Sequence, residues 1–301
     1  MTKARRIALL FNANTAFNRD IVSGIAAYFG STGAVWDLFV EEDFRLRLAG
    51  IEQWQGDGII ADFDDPAVAA ALAGTRVPVV AVGGSYARDD AYPPGIAYVA
   101  TDNFKLIELA YEHLASAGLR RVAMLSLPGA MENRWAQERE NAFLILTQHD
   151  RMEGGILRAC GAMTHSWDAA LMRQVAWLHS LPKPVGIIAV TDAQARHLLQ
   201  ACMVAGIAVP EQVALIGIDN DPLERALAPM PLSSVIHGAQ KMGRTAAHML
   251  NRMLLGANLA GTRIVIPPAG INVMASSQHQ ALSDWQEMRD GRCMRQDAGP
   301  E

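Results

Sequence analysis

The stretch Gly58-Ile59-Ile60-Ala61-Asp62 returns later in the chain as Gly186-Ile187-Ile188-Ala189-Val190-Thr191-Asp192. Each copy is an apolar run too short for a typical helix, rich in β-branched residues and ended by a carboxylate. That pattern reads as a buried parallel strand with an acid at its tip. A chain that uses this device twice is built from two similar lobes. Open α/β sheets bind ligands beyond the carboxyl ends of their strands, so two such tips facing each other make a polar cleft.

The sequence around each copy extends this reading. Near the first, strand-like periods at 6–11, 36–41 and 77–82 alternate with helical periods at 19–29 and 44–54. Asp65-Pro66 opens a further helix there, since proline fits the first helical turn. Near the second, helices at 102–117, 134–149, 167–179 and 193–205 alternate with strands at 121–125, 154–159 and 214–218, and 128–132 reads as a loop. This βαβ rhythm predicts an α/β fold of two similar Rossmann-like lobes with parallel sheets. A last long helix at 240–254 has no place on the second sheet without a long excursion, so it is expected back on the first lobe. The chain then crosses between lobes three times, near Ala100, Ile236 and Ile264, which makes a hinge. The expected division is 1–100 plus 237–263 for the N-terminal lobe and 101–236 plus 264–283 for the C-terminal lobe, with a polar, disordered tail at 284–301.

Composition sets limits on function. The 301 residues are 50% hydrophobic and 19% charged, enough apolar material for one large core or two medium ones. A net charge of −5 lacks the basic footprint of a nucleic-acid-binding domain, so any DNA contact has to come from elsewhere. Cys160, Cys202 and Cys293 are widely spaced and without metal spacing, as expected of two core thiols and a tail thiol in a reducing compartment. After Lys3, Arg5 and Arg6 only 7–11 is apolar, too short for an export signal. No stretch is long enough for a membrane span, and the expected location is the cytoplasm.

Candidate chemistry gathers at strand ends. Asn12 and Asn14 follow the first strand, with Phe17 soon after; Asp62 and Asp64 follow the third. In the second lobe Arg134, Trp135 and Arg139 share one helix start, while Asp192 and the pair Asp219-Asn220 end neighbouring strands. Gly83-Gly84-Ser85 leaves a hydroxyl at the cleft. Amides, carboxylates and a guanidinium offer donors and acceptors suited to the hydroxyls of a sugar, and the rings of Trp135 and Phe17 suit the apolar face of a pyranose.

Plainer roles compete. Asp192 stands where a helix cap is needed. Asp219-Asn220-Asp221-Pro222 is also a turn sequence, Arg139 also a surface ion-pair partner and Trp135 also a core anchor, although their spacing puts the last two on one helix face. His237 and His113 fit ordinary surface or core positions. No G-x-S-x-G, H-E-x-x-H, P-loop or zinc spacing is present, and no G-x-G-x-x-G follows a strand. Paired acids such as Asp62 and Asp219 could perform acid–base chemistry, as in a glycosidase, but carboxylates serve equally as hydroxyl acceptors. Neither an enzyme nor a cofactor or metal is expected.

Eight segments together resemble the effector-binding core of the lactose-repressor family, and within it the xylose-responsive activators. They are Leu10-Phe11-Asn12-Ala13-Asn14, Glu41-Glu42-Asp43-Phe44-Arg45, residues 57–65, Val82-Gly83-Gly84-Ser85-Tyr86, Ala100-Thr101-Asp102-Asn103, residues 134–140, residues 188–193 and Ile216-Gly217-Ile218-Asp219-Asn220. The resemblance runs over residues 6–283. It implies a periplasmic-binding-protein-like fold holding a pentose, D-xylose, between the lobes. By the same resemblance Asn12 and Asp62 are first-lobe hydroxyl partners and Phe17 a stacking ring. Arg139 and Asp219 match the inducer-binding arginine and aspartate, Trp135 a pocket wall, Asp192 a second acceptor and His237, more loosely, a pocket residue at the second crossover. It further implies a homodimer whose lobes close on ligand and thereby move DNA-binding domains.

Two departures bear on that output. No helix-turn-helix headpiece fits before Arg6, and 284–301 does not match the paired helix-turn-helix motifs that xylose-responsive activators carry there. Asn272-Val273-Met274-Ala275 also lacks the arginines usual before the final serine. The expectation is a sensing core that reaches DNA only through a domain absent from this chain. The other readings are a free-standing cytoplasmic sugar-binding protein and a sugar-modifying enzyme.

Overall fold

The computed structural model describes residues 4–41, 45–127, 133–150, 154–158 and 166–278. The expected loop at 128–132, the tail at 284–301, Cys160, Cys293 and the segment Glu42-Asp43-Phe44 lie outside them.

The chain begins with β1 (Arg5–Leu10), α1 (Ala16–Thr32), β2 (Trp36–Val40), α2 (Arg45–Leu48), β3 (Gly58–Asp62), α3 (Pro66–Leu72), β4 (Val79–Gly84) and β5 (Ala97–Thr101). It continues through α4 (Asn103–Ser116), β6 (Val122–Ser126), α5 (Arg134–His149), β7 (Ile156–Arg158), α6 (Trp167–Ser180), β8 (Val185–Ala189), α7 (Asp192–Ala205), β9 (Val213–Ile218), α8 (Pro222–Leu227) and β10 (Ser233–Ile236). Then follow α9 (Ala239–Leu254), β11 (Arg263–Ile266) and β12 (Gly270–Asn272).

Two six-stranded sheets result, in the orders β11-β5-β4-β3-β1-β2 and β12-β10-β9-β8-β6-β7. The first is parallel throughout; in the second only the β10–β12 pair is antiparallel. The two copies of Gly-Ile-Ile-Ala are β3 and β8, each covered on both faces as a parallel strand requires. Ile60, Val80 and Val82 face Ile21 and Ile25 of α1 and Met242 and Ala246 of α9, while Ile59, Ala61 and Ala81 face Val68 and Leu72 of α3. In the second sheet Ile188 and Ile216 face α4 and α5, and Ile187 and Leu215 face α6 and α7. Each such buried aliphatic side chain contributes about 1.5–3 kcal/mol, which is why these runs are continuously apolar.

The last long helix, α9, packs on α1 and on β3, β4 and β5, in the first lobe as its sequence position required. The third crossover differs from the expected place near Ile264. β11 hydrogen-bonds to β5, pairing Ile264 with Val99 and Ile266 with Thr101, so residues 263–266 belong to the first sheet and the crossing falls at 267–269. The helix expected at 44–54 is a single turn, α2, followed by a 3-10 turn at Ile51–Gln53, because the chain turns at Ala49-Gly50. β10, β11, β12 and α8 are too short to show a period, so the alternation of longer elements does not reveal them; β5, as long as β3, is likewise not among the expected strands.

Candidate functional site

The carboxyl ends of both sheets meet across a cavity of about 150 Å³. The first lobe contributes Thr15, Ala16, Phe17 and Asn18 from the cap and first turn of α1, Asp62 at the end of β3 and Asp64 just beyond it, and Thr101 at the end of β5. The second contributes Trp135 and Arg139 from α5, Thr191 after β8 and Asp219 after β9.

Local chemistry fixes each piece. Thr15 caps α1 by accepting from the Asn18 backbone N–H at 3.3 Å, which turns the first residues of the helix over the end of β1. Asp62 accepts from the Asp64 N–H at 2.9 Å and from the Asn18 side-chain amide at 3.1 Å. Burial, and next the charge of Asp64, push its carboxyl up to about 7. Burial raises Asp64 too, but the Arg134 guanidinium pairs with Asp64 and opposes that rise.

Arg139 is the centre of the second wall. Its Nε donates to Asn103 Oδ1 at 3.0 Å, its Nη1 to the Val190 carbonyl at 2.5 Å, and its guanidinium lies 4.5 Å from the centroid of the Trp135 ring. Burial pulls its pKa down to about 10, with Asp219 and Asp64 opposing, and it stays cationic at neutral pH. His237 Nε2 stands 3.0 Å from both Arg139 Nη2 and Asp219 Oδ1. It can accept from the arginine or donate to the aspartate, not both. Burial lowers the His237 pKa and keeps the imidazole neutral at pH 7. Its ring packs 4.9 Å from that of Phe17, at the second crossover.

Phe17, Asp62, Trp135, Arg139 and Asp219 therefore converge on one cavity, with His237 against its wall. Asn12 and Asp192 do not line it. Asn12 closes the turn before α1, its Oδ1 accepting from the Asn14 N–H at 3.1 Å. Asp192 is fully buried behind the cleft, and the capping role weighed for it belongs to Thr191, which accepts from the Gln194 N–H at 3.3 Å. Sequence reasoning misses Asn18, Thr101 and Thr191, and gives Asp64 only as a strand-end acid. A threonine directly before a helix signals a cap, and the caps at Thr15 and Thr191 both line the same cavity. Ser85, expected at the cleft, donates to Glu138 Oε2 at 2.9 Å across the lobes. His113 is bonded to Ser277 at 2.7 Å, away from the cleft.

Among the described residues, Asn18 Oδ1, Thr101 Oγ1 and His237 Nδ1 are buried without a hydrogen-bond partner. Such atoms are uncommon in folded proteins, and two of these residues, Asn18 and Thr101, line the cavity. No group of side chains among the described residues is arranged to hold a metal ion, and no helix is long and apolar enough to cross a membrane. Cys202 is a buried free thiol of the second core, its pKa pushed up to about 12 by burial.

Two parallel-sheet lobes joined by three crossings, with a polar cleft at their strand ends, define a periplasmic-binding-protein-like, lactose-repressor-type core. Family models agree: residues 6–104 match the XylR N-terminal domain and residues 111–277 the periplasmic binding protein-like domain. The chain is 45% identical over 283 residues to the xylose operon regulatory protein of Escherichia coli (strain K12), spanning 94% of this chain and 72% of that one. It is 42% identical over 279 residues to the Haemophilus influenzae protein of the same name, spanning 93% and 72%. The solved structure of the xylose-binding transcription activator XylR superposes with a TM-score of 0.86 at 42% identity, over 100% of this chain and 77% of that one. The lac repressor dimer bound to operator shares the fold, with a TM-score of 0.70 at 16% identity over 92% of this chain and 95% of that one. This chain belongs to the family of the xylose operon regulatory proteins and corresponds to their sensor part.

Proposed function

We propose that this chain is the ligand-sensing core of a sugar-responsive transcription regulator that binds a pentose, D-xylose, in the interlobe cleft without turning it over. The observation that carries this reading is the cavity itself. It is small, about 150 Å³, and combines three acidic side chains, a buried guanidinium and two aromatic rings with unpartnered buried Asn18 and Thr101 atoms. Arg139 and Asp219 grip the sugar hydroxyls from the second lobe, Asp62 and Asn18 from the first, and Trp135 and Phe17 cover its apolar face. A ligand held by both lobes favours the arrangement in which they are together, and it drives closure only through that difference in affinity. The protein works in the cytoplasm as a homodimer, and DNA contact belongs to a separate domain, in keeping with a net charge of −5 that lacks the basic balance of a DNA-binding domain.

A thermal-shift panel of pentoses and hexoses tests the reading. At a hundredfold excess over Kd, D-xylose stabilises the native state by about 2.7 kcal/mol, a rise of several degrees in Tm. Arg139→Ala abolishes the rise, and Asp219→Ala weakens binding while leaving it measurable at higher sugar concentration. A panel in which no pentose moves the Tm of the unmutated chain overturns the proposal.

A further inference from the structure

Asp219 and Asn220 have φ of 120° and 55°, the two non-glycine residues in the left-handed region among those described. Such backbone is costly for a residue with a Cβ and persists only where its surroundings impose it. The imposing groups lie behind the cleft. The Asp219 N–H donates to the Val235 carbonyl at 3.1 Å, the Asn220 N–H to Ser234 Oγ at 2.9 Å and the Asp221 N–H to Asp192 Oδ2 at 2.8 Å. The Ser234 hydroxyl in turn donates to Asp192 Oδ1 at 2.7 Å, which leaves its lone pairs facing Asn220. One carboxylate thus holds the 219–221 turn twice, directly at Asp221 and through Ser234 at Asn220.

The space for that carboxylate is reserved in the sequence. A Cβ on Gly217 would lie 2.2 Å from Asp192 Oδ1, so the strand passes beneath the acid only because residue 217 has no side chain. The turn so held places Asp219 Oδ1 3.0 Å from His237 Nε2 and sets Asp221 3.5 Å from Arg19 of the first lobe.

We infer that Asp192 is a positioning residue: with Ser234 it holds the 219–221 turn in its left-handed form, so that Asp219 stands on the cleft wall while Asp192 itself touches no ligand. The inference rests on the sugar-binding reading above for its effect on affinity, but not for its effect on the turn. Burial, and next the charge of Asp219, push the Asp192 carboxyl up to about 8, in keeping with an acid sealed off from the cleft.

Two measurements test this. In a double-mutant cycle read by D-xylose titration calorimetry, Asp192→Ala weakens binding at least about tenfold, because the Asp221 N–H loses its buried acceptor. In an Asp219→Ala background it weakens binding no further, since a residue acting through another has nothing left to act on. Asp192→Asn restores most of the affinity: its oxygen still accepts from Asp221, and its NH2 donates to Ser234, whose hydroxyl rotates. Losses that add across the cycle make Asp192 a direct ligand and overturn the inference. Hydrogen exchange on the sugar-free protein is the second measurement. Asp192→Ala and Ser234→Ala both speed exchange at Asn220 and Asp221, with Ser234→Ala standing in if the alanine at 192 does not fold. Unchanged exchange overturns the inference even if no pentose binds, whereas faster exchange without pentose binding overturns only the sugar reading.

Discussion

Asp62 is an acid whose position costs the protein stability as pH rises. Its carboxyl titrates near 7 in the folded chain against an ordinary value of 3.8, so the native state binds the proton more tightly than the unfolded chain does. Between those values the native state holds more protons, and stability therefore falls with rising pH until the loss is complete above about 7. Asp62→Asn removes that loss. The variant should gain Tm over the parent, more at pH 8 than at pH 5. Allowing for partial exposure of the residue, the difference is of order 1 kcal/mol, or about 2–4 °C. Thermal melts of both proteins at the two pH values decide it, and a gain that is equal at both sinks the assignment. Asp192 shows what residue-scale reading leaves open: an acid at a strand tip reads alike whether it faces ligand or turns inward, and only the Ser234 and Asp221 bonds show which.

At the scale of elements, the first lobe depends on the crossing of α1 and α9. The helices approach so closely that a Cβ on Gly243 would lie 1.9 Å from the Ile21 carbonyl oxygen, and one on Gly24 2.0 Å from that of Gln240. These are backbone atoms of a partner helix and have no rotamer by which to move. Gly243→Ala must push the helices apart and should destabilise by about 1–3 kcal/mol or more, seen as a Tm lower by several degrees. An unchanged Tm would show that the crossing yields. This crossing also aims the start of α1, with Thr15, Phe17 and Asn18, at the cleft.

At the scale of the molecule, the lobes are joined across the cleft chiefly through Arg134. From α5 of the second lobe it donates to the Gly84 carbonyl at 2.7 Å and the Ser85 carbonyl at 2.5 Å, pairs with Asp64, and stacks 3.8 Å from the Tyr86 centroid. All four partners belong to the first lobe, and Glu138 adds its bond to Ser85 one turn along. Arg134→Ala should shift the sugar-free protein toward lobes apart, raising its radius of gyration in small-angle scattering. Apparent pentose affinity should fall by the same fraction as the closed population. If scattering and affinity both match the parent, closure does not depend on this arginine.

The sequence by itself determined the two-lobed plan. Gly-Ile-Ile-Ala occurring twice, each copy in an unbroken apolar run ended by an acid, demands parallel strands covered on both faces, and the place of α9 in the chain set it outside the second sheet. It also placed Phe17, Asp62, Trp135, Arg139 and Asp219 near strand or helix ends, where open α/β sheets present side chains to ligand. The tertiary structure decided which strand-end groups face the cleft. Asn12 closes a turn, Asp192 braces another from behind, and Asn18, Thr101 and Thr191 reach the cavity because caps and the late pairing of β11 with β5 carry them there. A period reports which face of an element is buried, but the direction of a polar side chain at its end depends on neighbours far along the chain. That is why the plan was legible in one dimension and the final membership of the site was not.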